Sequence, residues 1–198
     1  MQNYDVFSFL NPFVSAKVGD YVKFGNYPQT EKGEIQPIEW QVLSIENNKM
    51  LVISRYGLDA KRFDSSSNNW IDSEIRRWLN DIFYDKAFTE EEKKYINYSS
   101  IFTTVDDELI DQSNDYIFLL NYEEADKYFA NDNARKCKPT KYAVKHGANP
   151  YKGYSDWFLR SVGYCEYIDG VGTDGIIIGD YNVHHTNNSI RPALWINL

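Results

Sequence analysis

Residues 38–53 read IEWQVLSIENNKMLVI and predict the hairpin around which the fold is built. Ile38, Trp40 and Val42 alternate with polar side chains, as in a strand with one buried face, and the apolar run at 50–53 is its partner. The Asn47-Asn48 pair favours a tight turn, because asparagine tolerates positive φ better than other residues that carry a side chain. We therefore expect an antiparallel hairpin. Upstream, residues 21–24 predict a short strand that Gly25 ends.

The middle of the chain is predicted to be helical. The clearest helix spans about 73–84, with Asp72 as its N-cap and an apolar stripe at the spacing of one buried face, formed by Ile75, Trp78, Leu79, Ile82 and Phe83. Capping boxes predict a second helix after Thr89 and a third after Asn121. A fourth short segment lies between Pro139 and Gly147. We expect Trp40, Trp78 and Trp195, which belong to periodic elements, to lie in the core.

The last fifty residues change character. Short strand signals at 157–160, 176–178 and 193–196 are separated by stretches rich in Gly, Asn, Asp and Tyr, which predict long loops over 148–190. The apolar run at 116–120 predicts a central strand. The pattern indicates an α+β fold with small, mostly antiparallel sheets, flanking helices and long C-terminal loops. We expect one domain over 16–198, preceded by an N-terminal arm over 1–15.

Composition and charge exclude several classes of protein. No apolar run in the 198 residues approaches the roughly 20 that span a bilayer, so we expect no integral membrane protein. The formal net charge of −8 predicts a surface that repels nucleic acid and anionic membranes unless a basic patch is present. The N-terminal residues lack the features of a secretory signal, and we expect a cytoplasmic location.

Several stretches occur in a recognisable order: GDYVKFGNYPQ at 19–29, IEWQVL at 38–43, LVISRYGLD at 51–59, RRWLN at 76–80, WFLRSVG at 157–163 and RPALWINL at 191–198. This pattern resembles a bacterial and phage domain family of unknown function in which G-D-Y-V-x-F-G, I-E-W, R-x-W-L-N, W-L-R-S and R-P-A-L-W motifs recur in the same order. The resemblance covers about residues 18–198.

The W-L-R-S strand, the Gly-rich stretch after it and the terminal R-P-A-L strand also resemble, more distantly, the C-type-lectin-like fold of the formylglycine-generating-enzyme branch. That resemblance implies a scaffold whose N- and C-terminal strands pair, with two helices beside a small sheet and a variable loop region before the final strand. It also implies binding to sugars, proteins or other surfaces.

From these features we expect a non-enzymatic recognition module that binds a protein or glycan partner through its C-terminal loops. Loop tyrosines anchor partners at low entropic cost, and Tyr164, Tyr167 and Tyr181 are expected to do so. The candidate ligand-binding residues are Tyr154, Tyr164, Tyr167, Asp169, Asp174, Asp180, Tyr181, Asn182, His184, His185 and Asn187.

The acidic and histidine residues of this region have alternative interpretations. Asp169-Gly170 and Asp174-Gly175 are typical of hairpin turns, although an oxygen-rich loop is also able to bind calcium. The chain lacks the E-P-N, Q-P-D and W-N-D motifs of lectin calcium sites. His184-His185 is interpreted as an exposed loop pair, with metal binding or acid–base chemistry as the alternative. His146 is interpreted as a helix-terminal residue that suits the helix dipole.

One segment opposes the global charge, because no acidic residue lies between Asp132 and Asp156. Its basic side chains are Arg135, Lys136, Lys138, Lys141, Lys145 and Lys152. Tyr142, Tyr151 and Tyr154 interleave with them, which is the pattern that combines phosphate contacts with stacking on bases or sugars. The alternative function is therefore anion or nucleic-acid binding by this segment, as in a phage or defence-related factor. A solvated helix face that balances acidic neighbours is the simpler interpretation.

Catalytic motifs are missing from the chain. It contains no G-x-S-x-G, Walker-type or H-E-x-x-H sequence. Cys137 and Cys165 lie 28 positions apart, unlike the close cysteine pair of formylglycine-generating relatives, and are interpreted as reduced thiols or one optional disulfide bridge. We expect no catalytic residue, cofactor, metal or membrane partner, and the oligomeric state is left open.

Overall fold

The computed structural model describes residues 11–105, 108–163 and 167–198, which form a mixed α+β structure made mostly of strands. A four-stranded antiparallel sheet contains β1 (Tyr21–Pro28), β2 (Ile35–Glu46), β3 (Lys49–Ser54) and the last strand, β13 (Ala193–Asn197). Its strand order is β1-β2-β3-β13, so the C-terminal strand pairs with the second strand of the predicted hairpin.

The predicted hairpin is confirmed. Glu46 pairs with Lys49, and the two asparagines between them adopt φ values of 50° and 59°. The prediction that Gly25 ends the first strand is wrong. Gly25 lies in a bulge between Lys23 and Asn26 at φ 66°, where a Cβ atom would approach the Phe88 ring to 2.5 Å. The strand continues through this bulge and carries Tyr27 into the core.

A second sheet has the order β11-β10-β9-β12-β5. Its members are β5 (Asp59–Ala60), β9 (Trp157–Val162), β10 (Tyr167–Val171), β11 (Ile177–Asn182) and β12 (Ser189–Ile190). Within this sheet β9 and β12 pair in parallel, and the other pairings are antiparallel. The strand predicted at 157–160 is confirmed as part of β9, and the one predicted at 176–178 overlaps the start of β11. The loop predicted between them is corrected, because β10 lies there and pairs with both neighbours.

Two short strand pairs complete the β structure. Strand β4 (Tyr56–Gly57) pairs in parallel with β8 (Lys138–Pro139), and β6 (Ser99–Val105) forms a hairpin with β7 (Glu108–Asp115). The segment 116–120 is not the predicted strand. It makes a single bridge, from Phe118 to Ala193, and is held by burial instead, because Ile117 to Leu120 are all within the core.

The clearest predicted helix is present but is not uniformly α-helical. It consists of α1 (Glu74–Arg77), a π-helical segment (Trp78–Phe83) and α2 (Tyr84–Ala87). Its N-cap is Ser73 rather than the predicted Asp72, since the Ser73 side chain accepts from the Arg76 amide. The wider π turn rotates residues out of the predicted apolar stripe. Ile82 is consequently exposed and Trp78 only half-buried.

The remaining helices are short. They are α3 (Glu90–Lys93), α4 (Tyr122–Tyr128), α5 (Asp132–Arg135) and α6 (Lys141–Lys145). Both predicted capping boxes, at Thr89 and Asn121, are confirmed by reciprocal hydrogen bonds. Among the described residues, no helix combines the length and apolarity needed to cross a bilayer.

The core joins both sheets to the helices. Trp40 and Trp157 are fully buried, whereas Trp195, which was predicted to be core, is half-buried because it alternates with the inward-facing neighbours on β13. The arginines of the W-L-R-S and R-P-A-L-W stretches, Arg160 and Arg191, are both buried. Cys137 is also fully buried, and burial raises the pKa of its thiol. Cys165 lies outside the described residues.

Residues 11–15, which belong to the predicted arm, contact the domain. Phe13 is buried and packs edge-on against Phe24 and Tyr95. The Asn11 amide donates to the Asn197 carbonyl at 2.7 Å. This end of the arm therefore contributes to the core, while residues 1–10 lie outside the described part of the chain.

Asp64 is expected to make the fold sensitive to acid. Burial opposes its ionisation, but the amides of Ser66, Glu74 and Ser67 donate to the carboxylate and outweigh this effect, so the pKa of Asp64 lies below its ordinary value. A lowered folded-state pKa stabilises the protein above the unfolded pKa, and that stability is lost as the pH falls through the folded pKa. We expect Asp64→Asn to flatten the dependence of unfolding free energy on pH between about pH 5 and pH 2.

Urea unfolding at several pH values measures this effect. The matched control is Asp85→Asn, which removes an exposed carboxylate from a surface ion pair and should leave most of the acid dependence in place. Equal pH dependence in wild type and Asp64→Asn would contradict the prediction.

Candidate functional site

The segment between Asp132 and Asp156, which contains no acidic residue, lies beside β4. It leaves α5, pairs with β4 through β8, forms α6 and then turns back in a tight hairpin at 151–154. A bridge between Cys137 and Ser155 brings the end of this hairpin beside the segment that precedes β8. Residues some 15 positions apart in sequence thereby share one surface.

That surface, named here the lysine–tyrosine face, consists of Lys136, Lys138, Tyr151, Lys152 and Tyr154. Two ammonium groups make cation–π contacts with the Tyr154 ring. The Nζ atoms of Lys136 and Lys138 lie 5.5 and 5.6 Å from its centroid. The Nζ atom of Lys152 lies 5.1 Å from the centroid of Tyr151, which is 62% exposed. Each lysine is thus positioned by an aromatic ring.

No carboxylate among the described residues lies within ion-pair distance of these three lysines. Their charges are oriented by tyrosine rings, which carry no formal charge. The face therefore presents positive charge that the protein itself does not neutralise locally.

The hairpin that carries the two tyrosines is held in an uncommon backbone conformation. The Tyr151 amide donates to the Tyr154 carbonyl at 2.7 Å, and Lys152 and Gly153 between them adopt φ values of 51° and 86°. Positive φ is costly for a lysine, and such positions persist where the surrounding structure determines them. The turn directs Tyr151 and Lys152 to the solvent.

Two other basic residues of the segment, Arg135 and Lys145, already bind groups within the protein. Arg135 is buried and forms ion pairs with Asp132 and Asp126, so its predicted role in anion binding needs correction: its guanidinium is already engaged. Its Nε also donates to the Gly175 carbonyl at 2.9 Å. The Nζ atom of Lys145 donates to the Glu31 carbonyl.

Lys141 lines a cleft of about 620 Å³ beside the face. The β1–β2 connection forms one wall, and Tyr56, Pro139 and Thr140 form the other. Tyr56 pairs with Lys138 in the β4–β8 contact, so the cleft adjoins the lysine–tyrosine face. Its charged lining is mixed, because Glu31 and Glu34 accompany Lys32 and Lys141.

The tyrosines predicted as C-terminal loop anchors have three different placements. Tyr167 begins β10 and is exposed, whereas Tyr164 lies outside the described residues. Tyr181 lies on β11 rather than in a loop and packs edge-on against Phe158. Its hydroxyl bonds to Asp156, and burial raises the pKa of this tyrosine. The expected exposed anchor at Tyr181 is therefore corrected to a buried packing residue.

The acidic residues of the same region do not converge. Asp169-Gly170 lies within β10, so the predicted turn there is wrong, while Asp174-Gly175 is confirmed as a turn with Gly175 at φ 91°. Burial raises the pKa of Asp169, and Asp180 is exposed on β11. Within the described residues, no group of three His, Cys, Asp or Glu side chains is arranged to hold a metal ion.

The polar residues at 184–187, which follow β11, are exposed. His184 and His185 are both exposed, as predicted, and the His184 amide donates to the Asn182 side chain at 2.9 Å. The Asn187 carbonyl accepts from the Asn149 amide, so these residues lie beside the end of the basic segment. Tyr154 is the one candidate ligand residue that also belongs to the lysine–tyrosine face.

His146 has a partner that the sequence analysis missed. It terminates α6, as predicted, and its Nδ1 also lies 2.8 Å from Oδ1 of Asp59, a buried carboxylate that accepts from the Tyr27 hydroxyl at 2.8 Å. Burial and the nearby Asp59 raise the pKa of Tyr27. Asp59 and His146 are 87 positions apart, so no local motif connects them.

Comparison with known proteins gives a single result. The model of a family described as Domain of unknown function (DUF6273) matches residues 47–198. This agrees with the predicted resemblance to a family of unknown function, although the motifs at 19–29 and 38–43 precede the matched residues. No curated protein and no solved structure matches the chain.

Proposed function

The chain belongs to the DUF6273 family, and we propose that it is a recognition module that binds single-stranded nucleic acid through the lysine–tyrosine face. The observation that carries the proposal is the Tyr154 ring flanked by the ammonium groups of Lys136 and Lys138 on an acid-free segment. Proteins that bind single strands combine cationic grooves for the phosphates with rings on which bases stack.

The distribution of charge supports this assignment. The chain carries a formal charge of −8, so a polyanion is repelled by most of the surface and is directed to the basic segment between Asp132 and Asp156. Exposed Tyr151 offers a ring for stacking, and Lys136, Lys138 and Lys152 supply contacts to phosphate oxygens. Duplex DNA hides its base faces, whereas a single strand presents them to an exposed ring.

The proposal assigns binding rather than catalysis. The face is an open surface with lysines and tyrosines and contains no paired acid and base, which fits a module without cofactor or metal. The C-type-lectin-like fold also stays a proposal. It is supported by the presence of β1 and β13 in one sheet, although they form its opposite edges and do not pair directly.

Fluorescence anisotropy with a labelled oligothymidine 20-mer tests the proposal at 50 and 200 mM salt. We expect affinity to fall about 20-fold over this range, because three phosphate contacts at about 0.7 counterions each give a log–log slope near −2. The triple variant Lys136→Gln, Lys138→Gln, Lys152→Gln should bind at least about tenfold more weakly at 50 mM and lose most of the salt dependence.

The matched control changes the global charge by the same amount. Lys17→Gln, Lys23→Gln and Lys86→Gln remove three exposed lysines elsewhere on the surface, and this variant should bind nearly as well as wild type. Equal affinities for the two triple variants, or binding that does not weaken with salt, would show that the lysine–tyrosine face is not the site.

Exposed apolar residues at the edge of the second sheet favour a second candidate function, recognition of a protein partner by the C-terminal region. Ile178 is exposed on the edge strand β11, exposed Ile176 directly precedes that strand, and Tyr167 lies on the neighbouring strand. A contact anchored by such side chains should change little with salt. Binding that survives at 200 mM salt and is lost in Ile178→Asp would support this candidate over the nucleic-acid module.

A further inference from the structure

A separate site lies around Tyr98, on the side of the molecule where β6 begins. Tyr98 is 59% exposed and lines two neighbouring hollows. The first, of about 360 Å³, is bounded by the β2–β3 turn, by Asn97 and by Trp195. The second, of about 260 Å³, lies against Asn80, Asn114 and Tyr116. One exposed ring therefore lines both hollows.

The Tyr98 ring is held rigidly despite its exposure. Its centroid lies 4.7 Å from that of Tyr116, and Tyr116 stacks on Tyr84 at 4.6 Å and 15°. The Nζ atom of Lys93 lies 4.9 Å from the centroid of Tyr84 at the far end of this stack. A ring supported in this way loses little conformational entropy when it meets a ligand.

Hydrogen-bonding groups in the first hollow are already oriented. The Asn97 side chain accepts from Lys49 Nζ at 3.1 Å and from the Ser99 hydroxyl at 2.8 Å, and it donates to the Asn197 side chain at 3.0 Å. Half-exposed Trp195 lies in the same lining. Fixed amides and hydroxyls beside aromatic faces suit a ligand that has both hydroxyl groups and apolar C–H surfaces.

Each hollow is lined by equal numbers of positively and negatively charged side chains. Glu46 balances Lys49 in the first. In the second, two arginines face two aspartates, and one pair, Arg76 with Asp115, is closed at 2.7 Å. A polyanion gains nothing from such a balanced site, in contrast to the lysine–tyrosine face. The ligand should therefore be uncharged.

We propose that the two hollows and Tyr98 form a binding site for a neutral oligosaccharide that crosses the Tyr98 ring, with one sugar unit on each side. The ring contacts the C–H face of a pyranose, while the amide and hydroxyl groups of the hollows bind its hydroxyls. This site is distinct from the lysine–tyrosine face and does not depend on nucleic-acid binding.

Saturation-transfer difference NMR with neutral trisaccharides of glucose, mannose, galactose and N-acetylglucosamine tests the proposal. We expect wild type to transfer saturation to at least one of the four and Tyr98→Ala to lose about tenfold or more in affinity for it, since a central aromatic anchor often dominates binding. Tyr122→Ala is the matched control, because Tyr122 is also an exposed tyrosine and lies on α4, outside both hollows.

Circular dichroism melting of both variants shows whether Tyr98→Ala remains folded. A second variant, Asn114→Ala, should weaken binding from the other hollow. No transfer to any of the four saccharides, or equal transfer in wild type and a folded Tyr98→Ala, overturns the proposal. Transfer that disappears in the lysine triple variant instead would place saccharide binding on the other face and overturn it as well.

Discussion

Replacement of Arg160 by alanine is expected to lower the free energy of unfolding by about 3 kcal/mol, the lower end of the cost of breaking a buried ion pair, because Arg160 is buried whereas its partner Glu124 is partly exposed. Arg160 is 1% exposed at the centre of β9. Its two terminal nitrogens lie 2.6 and 3.1 Å from the two carboxylate oxygens of Glu124, a bidentate geometry. An effect of this size is a large fraction of the stability of an ordinary domain.

The loss is large because Arg160 joins three parts of the chain. Its guanidinium donates to the carbonyls of Leu119 and Phe102 as well as to Glu124. Glu124 in turn accepts from the Asn121 amide and completes the capping box of α4. Removal of the arginine therefore takes a donor from the carbonyl of buried Leu119 and also weakens the N-terminus of a helix.

Urea unfolding followed by circular dichroism measures the effect. Arg55→Ala is the matched control, because Arg55 also pairs with a glutamate, Glu39 at 2.7 Å, but on the surface. It should cost less than about 1 kcal/mol. An Arg160→Ala variant that is no less stable than Arg55→Ala would contradict the view that this arginine holds β9, β6 and α4 together.

Local signals in the sequence predicted the elements that local chemistry determines. The Asn47-Asn48 turn follows from backbone preference alone, and the capping boxes at Thr89 and Asn121 need only residues three positions apart. The overall mixture of strands and helices could be predicted for the same reason. These features depend on neighbours in sequence, so a single chain carries enough information to identify them.

Tertiary packing decided the elements that the sequence analysis missed. The π-helical turn at Trp78–Phe83 exposes Ile82, and periodicity at 3.6 residues cannot anticipate that change. Strand β10 lies in a stretch predicted as loop, and it forms because β9 and β11 supply its backbone partners. Tyr181 is buried for the same reason, since pairing within the sheet turns its ring toward Phe158.

For the candidate site, too, the sequence indicated the local feature and the fold determined the contacts. Charge counting found the basic segment, because acidic residues are absent from a continuous stretch of sequence. The contacts of Tyr154 with Lys136 and Lys138 depend on the return of the hairpin at 151–154, and the engagement of Arg135 depends on Gly175, 40 positions away. Composition therefore indicated where positive charge lies, and the fold determined which of those charges stay free.

Trp157→Ala is expected to cost about 3–5 kcal/mol of unfolding free energy, as removal of a large aromatic ring from a core does. The indole is fully buried, and the Arg191 guanidinium lies 4.9 Å from its centroid. Burial removes the Arg191 guanidinium from water and thereby lowers its pKa. Loss of the indole would remove part of the stabilisation that this buried cation receives.

The Trp157→Ala substitution should also disturb the position of Lys136 in the lysine–tyrosine face. The indole N–H donates to the Arg135 carbonyl at 3.2 Å, and Arg191 donates to the same carbonyl at 3.3 Å. Both donors fix the backbone immediately before Lys136.

Trp157→Phe keeps most of the ring but loses the hydrogen bond, and it should cost only about 1–2 kcal/mol. Urea unfolding compares the two variants, and oligothymidine anisotropy shows whether Lys136 remains in place. Equal destabilisation by alanine and phenylalanine would mean that the hydrogen bond, rather than the packed ring, stabilises this part of the core.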